Sequence, residues 1–266
     1  MSETTDTHSG TIRDEFAHQA DAFARSPTMS LSETLDAVVE LVPEDAEARW
    51  AEFACGPGLI SRAMAPRVGS VQGFDLTPAM VEKARSEADL AGVGNVGFEI
   101  GDATAMDVPD DSFDGAITRF SLHHIPAPVR VLEEMRRVVK PGGWVVVADH
   151  VTDDDGAAAA WHEQIERLRD PSHWACLTPS RLGALGERTG LEPDLDRVVP
   201  FEIDFGEWLN RGSGGPAHAE LIERLLGEAP ATVESFVVNG EGEERLLGLR
   251  NSLHRWRVPY RTLCPL

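Results

Sequence analysis

The sequence predicts an α/β fold with a doubly wound, mostly parallel sheet and helices on both faces, and three observations carry that prediction. First, short apolar runs alternate with helix-patterned stretches from residue 45 to 150, as in repeated βαβ units with right-handed crossovers. Second, Arg49-Trp50-Ala51-Glu52-Phe53 passes through Ala54-Cys55-Gly56-Pro57-Gly58 into Leu59-Ile60-Ser61-Arg62-Ala63-Met64, which reads as strand, tight loop and helix. Third, Glu52, Asp75 and Asp102 fall near the carboxyl ends of successive strands, the end at which such sheets bind ligands.

Each element has a local reason. Residues 1 to 10 are small and polar and are expected to be disordered. Residues 11 to 25 carry Ile12, Phe16, Ala20 and Phe23 at helical spacing, an amphipathic helix that could close as a lid with Phe16, Gln19 and Phe23 toward a pocket. A second helix runs from an N-cap at Ser32 to Leu41. Strands follow at 70–75, 96–100 and 113–118, and helices at 78–90 and 126–139 each open on a proline in the first turn. Pro141-Gly142-Gly143 turns into the all-apolar Trp144-Val145-Val146-Val147-Ala148, a strand buried on both faces. Beyond His150, helices are expected at 156–169 and 179–189, a sixth strand at 191–203, an insertion holding a helix at 216–226, and a final strand at 246–256. The chain reads as one domain over 1–266, with the tail at 1–10, a helical lid at 11–44, a cofactor-binding core at 45–150 and substrate-side insertions with the last strands at 151–266.

The series Glu52-Phe53-Ala54-Cys55-Gly56-Pro57-Gly58, Phe74-Asp75-Leu76-Thr77-Pro78-Ala79-Met80, Gly101-Asp102-Ala103, Phe113-Asp114 and Leu132 to Gly143, in that order, resembles class I S-adenosylmethionine-dependent methyltransferases. The small-molecule branch containing ubiquinone and menaquinone methyltransferases is the most similar. The resemblance implies a Rossmann-like sheet of seven strands, the last antiparallel, and S-adenosyl-L-methionine as cofactor. It implies Asp75 on the ribose hydroxyls, Asp102 and Ala103 at the adenine, and Glu52, Ala54, Gly56, Arg119 and Phe120 around the methionine end, with Gly58 and Leu76 completing the site. Ala54 stands where that family usually has glycine, and Glu52 keeps the charge of its usual aspartate. The spacing is not the dinucleotide fingerprint, because Ser61 takes the third glycine's place.

Composition narrows the partners. The formal net charge of -21, with 45 acids against 24 bases spread along the chain, repels phosphate backbones, so nucleic acid is not expected as a partner. The Arg250 to Arg257 segment, read as a strand, would spread its charges over both faces and is expected at a sheet edge. Cys55, Cys176 and Cys264 show no metal-ligand spacing and no even framework. No metal site is expected, and a reducing cytoplasm fits. No apolar run approaches the roughly 18 residues of a membrane span. The expected partner is a small-molecule acceptor, and a homo-oligomer remains compatible.

Histidine is the residue type suited to proton transfer near neutrality, and four lie at strand ends or in inserted loops: His123, His124, His150 and His173. All four are candidate bases, His124, His150 and His173 foremost, with Asp149 as a partner for His150 and Asp170 for His173; similar sequences carry His123 and His124 as pocket wall, and His123 is expected against the substrate. Trp174 and Trp208, among the aromatics Trp161, Phe201, Phe205 and Phe236, suggest an acceptor pocket for an apolar or aromatic molecule. The expected reaction is methyl transfer to carbon or oxygen of such a metabolite by in-line displacement. A cyclase or decarboxylase on the same cofactor site, or a noncatalytic binding protein, is the alternative.

Overall fold

The computed structural model describes residues 2–25 and 32–260. Strands β1 (Asp45–Phe53), β2 (Val68–Asp75), β3 (Val96–Ile100), β4 (Phe113–Arg119) and β5 (Val139–His150) form a parallel half in the order β3-β2-β1-β4-β5. Helices α3 (Leu59–Met64), α4 (Pro78–Ala91) and α5 (Pro128–Val138) are the crossovers. Two apolar layers sandwich this half. Phe53, Leu132, Met135, Val145 and Val147 pack on one face, and Trp50, Ile60, Met64, Ile117 and Val146 on the other.

The antiparallel strand β8 (Leu246–Arg257) pairs with β5 on one side and β6 (Glu192–Asp204) on the other. The Arg250–Arg257 stretch is therefore interior to the sheet, against the expectation of an edge. Leu253 and Trp256 are buried there, while Arg255 and Arg257 leave the core by lying over the Trp144 ring, at 4.6 and 3.8 Å from its centroid. A cation on an aromatic face keeps its charge near water while its stem packs.

Four further expectations shift. An eighth strand, β7 (Phe236–Asn239), pairs with the first half of β8, occupying the row that β5 vacates after His150. Helix α5 begins at Pro128 rather than Pro126. Strand β5 starts already at Val139, with a register shift across the Pro141-Gly142-Gly143 stretch. Helix α1 spans Ser2–Arg25, so the expected tail at 1–10 is helical from residue 2. The tail has a partner that periodicity could not show: the His8 ring meets Trp174 edge-on at 4.9 Å and reaches the His124 carbonyl at 2.9 Å. Helix α2 covers Ser32–Val39.

Beyond His150 the chain builds a second, smaller core. Helices α6 (Gly156–Arg169), α8 (Phe205–Arg211) and α9 (Gly215–Leu226) pack Trp161, Ile165, Phe205, Trp208 and Ile222 against Phe236, Leu247 and Leu249 of the extended sheet. Asp155 caps α6, accepting from the Ala157 and Ala158 amides. Helix α7 (Pro179–Arg188) covers the β6–β8 side, where Gly186 lets the Trp256 ring approach. Most of the aromatics expected around an acceptor are thus the hydrophobic centre of this cap. Its effect is to hold polar residues of β5, α6 and the following loop over the carboxyl end of the parallel half.

Candidate active site

The loop after β1 is built around backbone that side chains disfavour. Ala54, Gly56 and Gly58 have φ of 50°, 51° and 71°, the left-handed region glycine enters freely and alanine enters at a cost of about 1–2 kcal/mol. The Gly56 amide donates to Asp75 Oδ2 at 2.8 Å, and the Thr77 amide to Asp75 Oδ1 at 2.9 Å. One carboxylate thereby ties the first loop to the second. A Cβ on Gly58 would come within 2.6 Å of the Phe98 ring, whereas one on Gly56 would meet nothing within 4 Å. Gly58 is needed for packing and Gly56 for its conformation, on the open side of the loop.

That open side is a cavity of about 410 Å³ at the carboxyl ends of β1, β2 and β4. Glu52, Ala54, Gly56, Asp75, Leu76, Asp102, Ala103, Arg119 and Phe120 all line it; Gly58 does not. Its roof is α1, through Ser9, Ile12 and Phe16. Glu52 accepts from the Ser61 amide at 2.8 Å and from the Ser61 hydroxyl. Burial still pushes its carboxyl up to about 7, against the pull of Ser61 and Arg119. Burial likewise lowers Arg119 to about 10, with Glu52 opposing, and raises Asp75. Asp102 is exposed and accepts from the Thr104 amide and hydroxyl, at 2.8 and 2.7 Å. Cys55 is a buried thiol raised well above its ordinary range by burial and by Glu52 and Asp75, which fits packing rather than nucleophilic attack.

A second, small cavity of about 50 Å³ adjoins the first. Phe120 and His124 line both. Phe120 holds φ at 51°, and Arg119 lies over its ring at 4.4 Å, so the phenyl stands between the two spaces. Around the second are Phe201 and Trp208 on one side and His123, His150, Glu166, Arg169, Asp170 and Arg211 on the other. Gln19 closes it from α1, donating to Asp170 at 3.1 Å, and Glu15 of the same helix accepts from the Ser213 amide at 2.8 Å. Those two side chains strap α1 across both cavities. The Phe23 side chain, expected beside them, lies outside the described residues.

The four histidines taken one by one in the sequence converge here. The His123 ring centroid lies 4.1 Å from that of His124 and 4.0 Å from that of His150, tilted by 47° and 48°, with His173 at 5.8 Å. Their partners differ from those expected. Asp149 accepts from His123 Nδ1 at 2.6 Å and from the His123 and His150 amides, at 3.1 and 2.9 Å; it orients His123, not the His150 ring. His173 pairs with Glu163 at 3.0 Å instead of Asp170 and lines neither cavity. Asp170 accepts from Ser172 Oγ at 2.5 Å, which leaves that hydroxyl oxygen as acceptor for His124 Nδ1 at 3.0 Å. The tautomer this network sets puts the free lone pair of His124 on Nε2. Burial lowers His123, His124 and His150 below the ordinary histidine range, and neighbouring histidines lower them further. All three favour the neutral ring.

Trp174 is 39% exposed and packs on His8 rather than on a cavity, whereas Trp208 is buried and lines the second one. Sequence reasoning missed Glu166, Arg169 and Arg211. Despite its burial, Arg169 holds Glu166 well below the carboxylate range, so the pair is ionic. Glu166 and Arg169 at i, i+3 on one face of α6 were the available signal.

A family model described as a methyltransferase domain matches residues 45–188. A methyltransferase of Bacillus subtilis, YcgJ, is 31% identical over 225 residues, covering 84% of this chain and 88% of that protein. Its crystal structure superposes with a TM-score of 0.78 at 28% identity over 85% of this chain and 98% of that one. A ubiquinone/menaquinone biosynthesis C-methyltransferase of Hydrogenovibrio crunogenus is 35% identical, over 61% of this chain and 68% of that protein. At the level of fold alone, a Haemonchus contortus phosphoethanolamine N-methyltransferase in complex with S-adenosyl-L-methionine superposes with a TM-score of 0.59 at 16% identity, over 85% of this chain and 52% of that one. Among the described residues no helix is long and apolar enough to cross a membrane. With the family model covering more than half of its length and a 31% identical relative matching 84% of it, this chain belongs to the class I S-adenosylmethionine-dependent methyltransferases.

Proposed function

We propose that the larger cavity binds S-adenosyl-L-methionine and that the smaller receives a small, largely apolar or aromatic metabolite, which is methylated at carbon or oxygen. The observation that carries this is the shared wall: His124 and Phe120 border both spaces, so a group held in one faces a group held in the other. The donor set suits the cofactor. Carboxylates at Glu52, Asp75 and Asp102 match an ammonium, two ribose hydroxyls and an exocyclic amine, and Gly56 supplies the left-handed turn that lays the loop backbone along the cavity.

Bound there, the cofactor supplies an electrophilic methyl on a sulfonium. The protein's part is to align the acceptor, exclude water and take a proton. Phe120, Phe201 and Trp208 offer flat apolar contact to a ring. His124, with its Nδ1 proton held by the Ser172–Asp170 chain, presents Nε2 as base for a phenolic or enolic acceptor. Helix α1 closes over both. The straps Glu15 to Ser213 and Gln19 to Asp170, which tie the first helix to the segment beyond β5, support reading the chain as one domain. The test is incubation with methyl-labelled S-adenosylmethionine and phenolic or quinol acceptors, read by mass spectrometry. Label in an acceptor, lost in His124→Ala with cofactor affinity kept, supports the reading; label transferred equally by that variant would remove His124 as base.

A further inference from the structure

We propose that His150, His162 and Cys176 bind a divalent cation of the zinc class, with Glu166 beside it and the open side facing the acceptor cavity. Each of the three is buried, and one ligand atom from each lies within 4.8 Å of the others. The residues stand 12 and 14 positions apart (150 to 162, 162 to 176), a spacing that carries no short metal motif. Only the fold joins the end of β5, the middle of α6 and the loop after it.

Hydrogen bonding explains little of this arrangement. Nε2 of His150 and Nε2 of His162 are buried without a hydrogen-bond partner. Both face the same oxygen, Glu166 Oε1, at 3.9 and 3.7 Å. Those distances exceed a hydrogen bond and are close to the separation of two ligands sharing one ion, each at about 2.0–2.2 Å. The tautomer of His162 sharpens the point. Ser235 Oγ donates to Asp153 at 2.8 Å, so it meets His162 Nδ1 at 3.5 Å as an acceptor. Nδ1 then carries the ring proton and Nε2 a lone pair. Glu166 Oε2 is held by Arg169 at 3.1 and 3.2 Å, which turns Oε1 toward the imidazoles. The buried His162 lone pair and the unpartnered His150 nitrogen converging on one carboxylate oxygen are costly unless a cation lies among them, and an outer partner fixing the ring, as Ser235 fixes His162, is the usual support of a histidine ligand.

Two other clusters overlap this one, His123-Asp149-His150 and Glu163-His173-Cys176. Their carboxylates are already engaged. Asp149 holds His123 Nδ1 at 2.6 Å, and Glu163 holds His173 at 3.0 Å and the Cys176 amide at 2.6 Å. A thiolate with two imidazoles selects zinc, cobalt or ferrous iron over magnesium or calcium. His150 and Glu166 line the acceptor cavity, so the cation would keep one position open on that side, as catalytic zinc sites do. An oxygen or sulfur of the acceptor would fill it. That last step rests on the acceptor cavity assigned above; the cation site itself does not.

The test uses the full-length protein freed of metal by dialysis against a chelator, then titrated with Zn²⁺ and with Co²⁺. Expected are one retained equivalent of Zn²⁺ per chain and a sulfur-to-cobalt charge-transfer band. Cys176→Ser should abolish the band, and His162→Gln should weaken Zn²⁺ binding about 10-fold or more. No retained equivalent, or equal binding by wild type and both variants, would overturn the site. The cobalt spectrum is read on the wild type and stands even where a variant fails to fold. S-adenosylhomocysteine titrated into the same samples separates the two claims: binding without metal retention overturns the cation site alone, and metal retention without that binding overturns the cofactor reading.

Discussion

The two ends of the sheet solve opposite problems with the same backbone. From β1 to β5 the interior is aliphatic and aromatic, and the functional groups sit at the strand ends and in the loops that follow them, where Gly56 and Asp75 shape a cavity. Over the end of β5 the functional groups form a network gathered from several elements: the turn after β4, the last residues of β5, α6 and the loop after it. His123, His150, Glu166, Arg169 and Asp170 are buried, as Glu52, Asp75 and Arg119 are in the other half, but here side chain meets side chain, Arg169 with Glu166 and Asp170, and Asp170 with Ser172. The difference teaches how one fold divides its labour. The proposed cofactor side offers backbone and a few carboxylates, whereas the proposed acceptor side is a polar network of side chains that pair with one another. Such a network is sensitive to single changes, because each lost partner strands another buried group.

The largest effect should fall on the acceptor side. His124→Ala is expected to lower turnover about 10²–10⁴-fold, with affinity for S-adenosylhomocysteine unchanged by calorimetry. A fall in affinity of similar size would erase the division between the halves. Phe205→Ala, deep in the cap and 1% exposed, should cost about 3–5 kcal/mol in denaturant unfolding. If the halves are energetically separate, cofactor affinity survives wherever the variant remains folded.

Asp75→Ala acts in the other half. It removes an acceptor for the Gly56 and Thr77 amides as well as the proposed ribose contact. At about 1.5–3 kcal/mol for hydrogen bonds to a charged group, cofactor affinity should fall on the order of 10–100-fold. Glu52 tests the same rim by pH. Its folded carboxyl is raised from 4.5 to about 7, so the folded chain holds a proton that the unfolded chain has released. Stability of the ligand-free protein should therefore fall as pH rises from 4.5 to about 7 and level above it. Glu52→Gln should flatten that stretch of the melting-temperature profile; an unchanged profile would show that Glu52 is ionised throughout.

The smallest expected effect is Ala54→Gly. Relief of the left-handed strain at φ 50°, about 1–2 kcal/mol, is partly offset by about 0.4–1 kcal/mol of added freedom in the unfolded chain. A gain of up to about 1 kcal/mol in thermal unfolding is expected, and a loss would mean that the methyl packs usefully.

The rim was legible because its determinants are local. Glycines, strand-end acids and their spacing lie within a few residues of one another, and nine of the ten residues expected around the cofactor line one cavity. Gly58 misled because packing on Phe98 and lining a ligand both demand glycine. The network was legible only as candidates. Asp149 stands next to His150 in sequence yet holds His123, because adjacent strand residues point to opposite faces. His173 is near Asp170 but meets Glu163 one helix away. Arg250 to Arg257 looked like an edge because rings such as Trp144, which carry its charges, come from another strand. These pairings depend on how β5, α6 and β8 meet, which periodicity does not encode.

Calorimetric titration of S-adenosylmethionine and S-adenosylhomocysteine into the wild type and Asp75→Ala tests the central claim most directly. The expected result is one site per chain for each ligand, weakened at least 10-fold in a variant that melts cooperatively. Absence of binding to the folded wild type, or equal affinity in the two proteins, would contradict the assignment of the larger cavity to the cofactor.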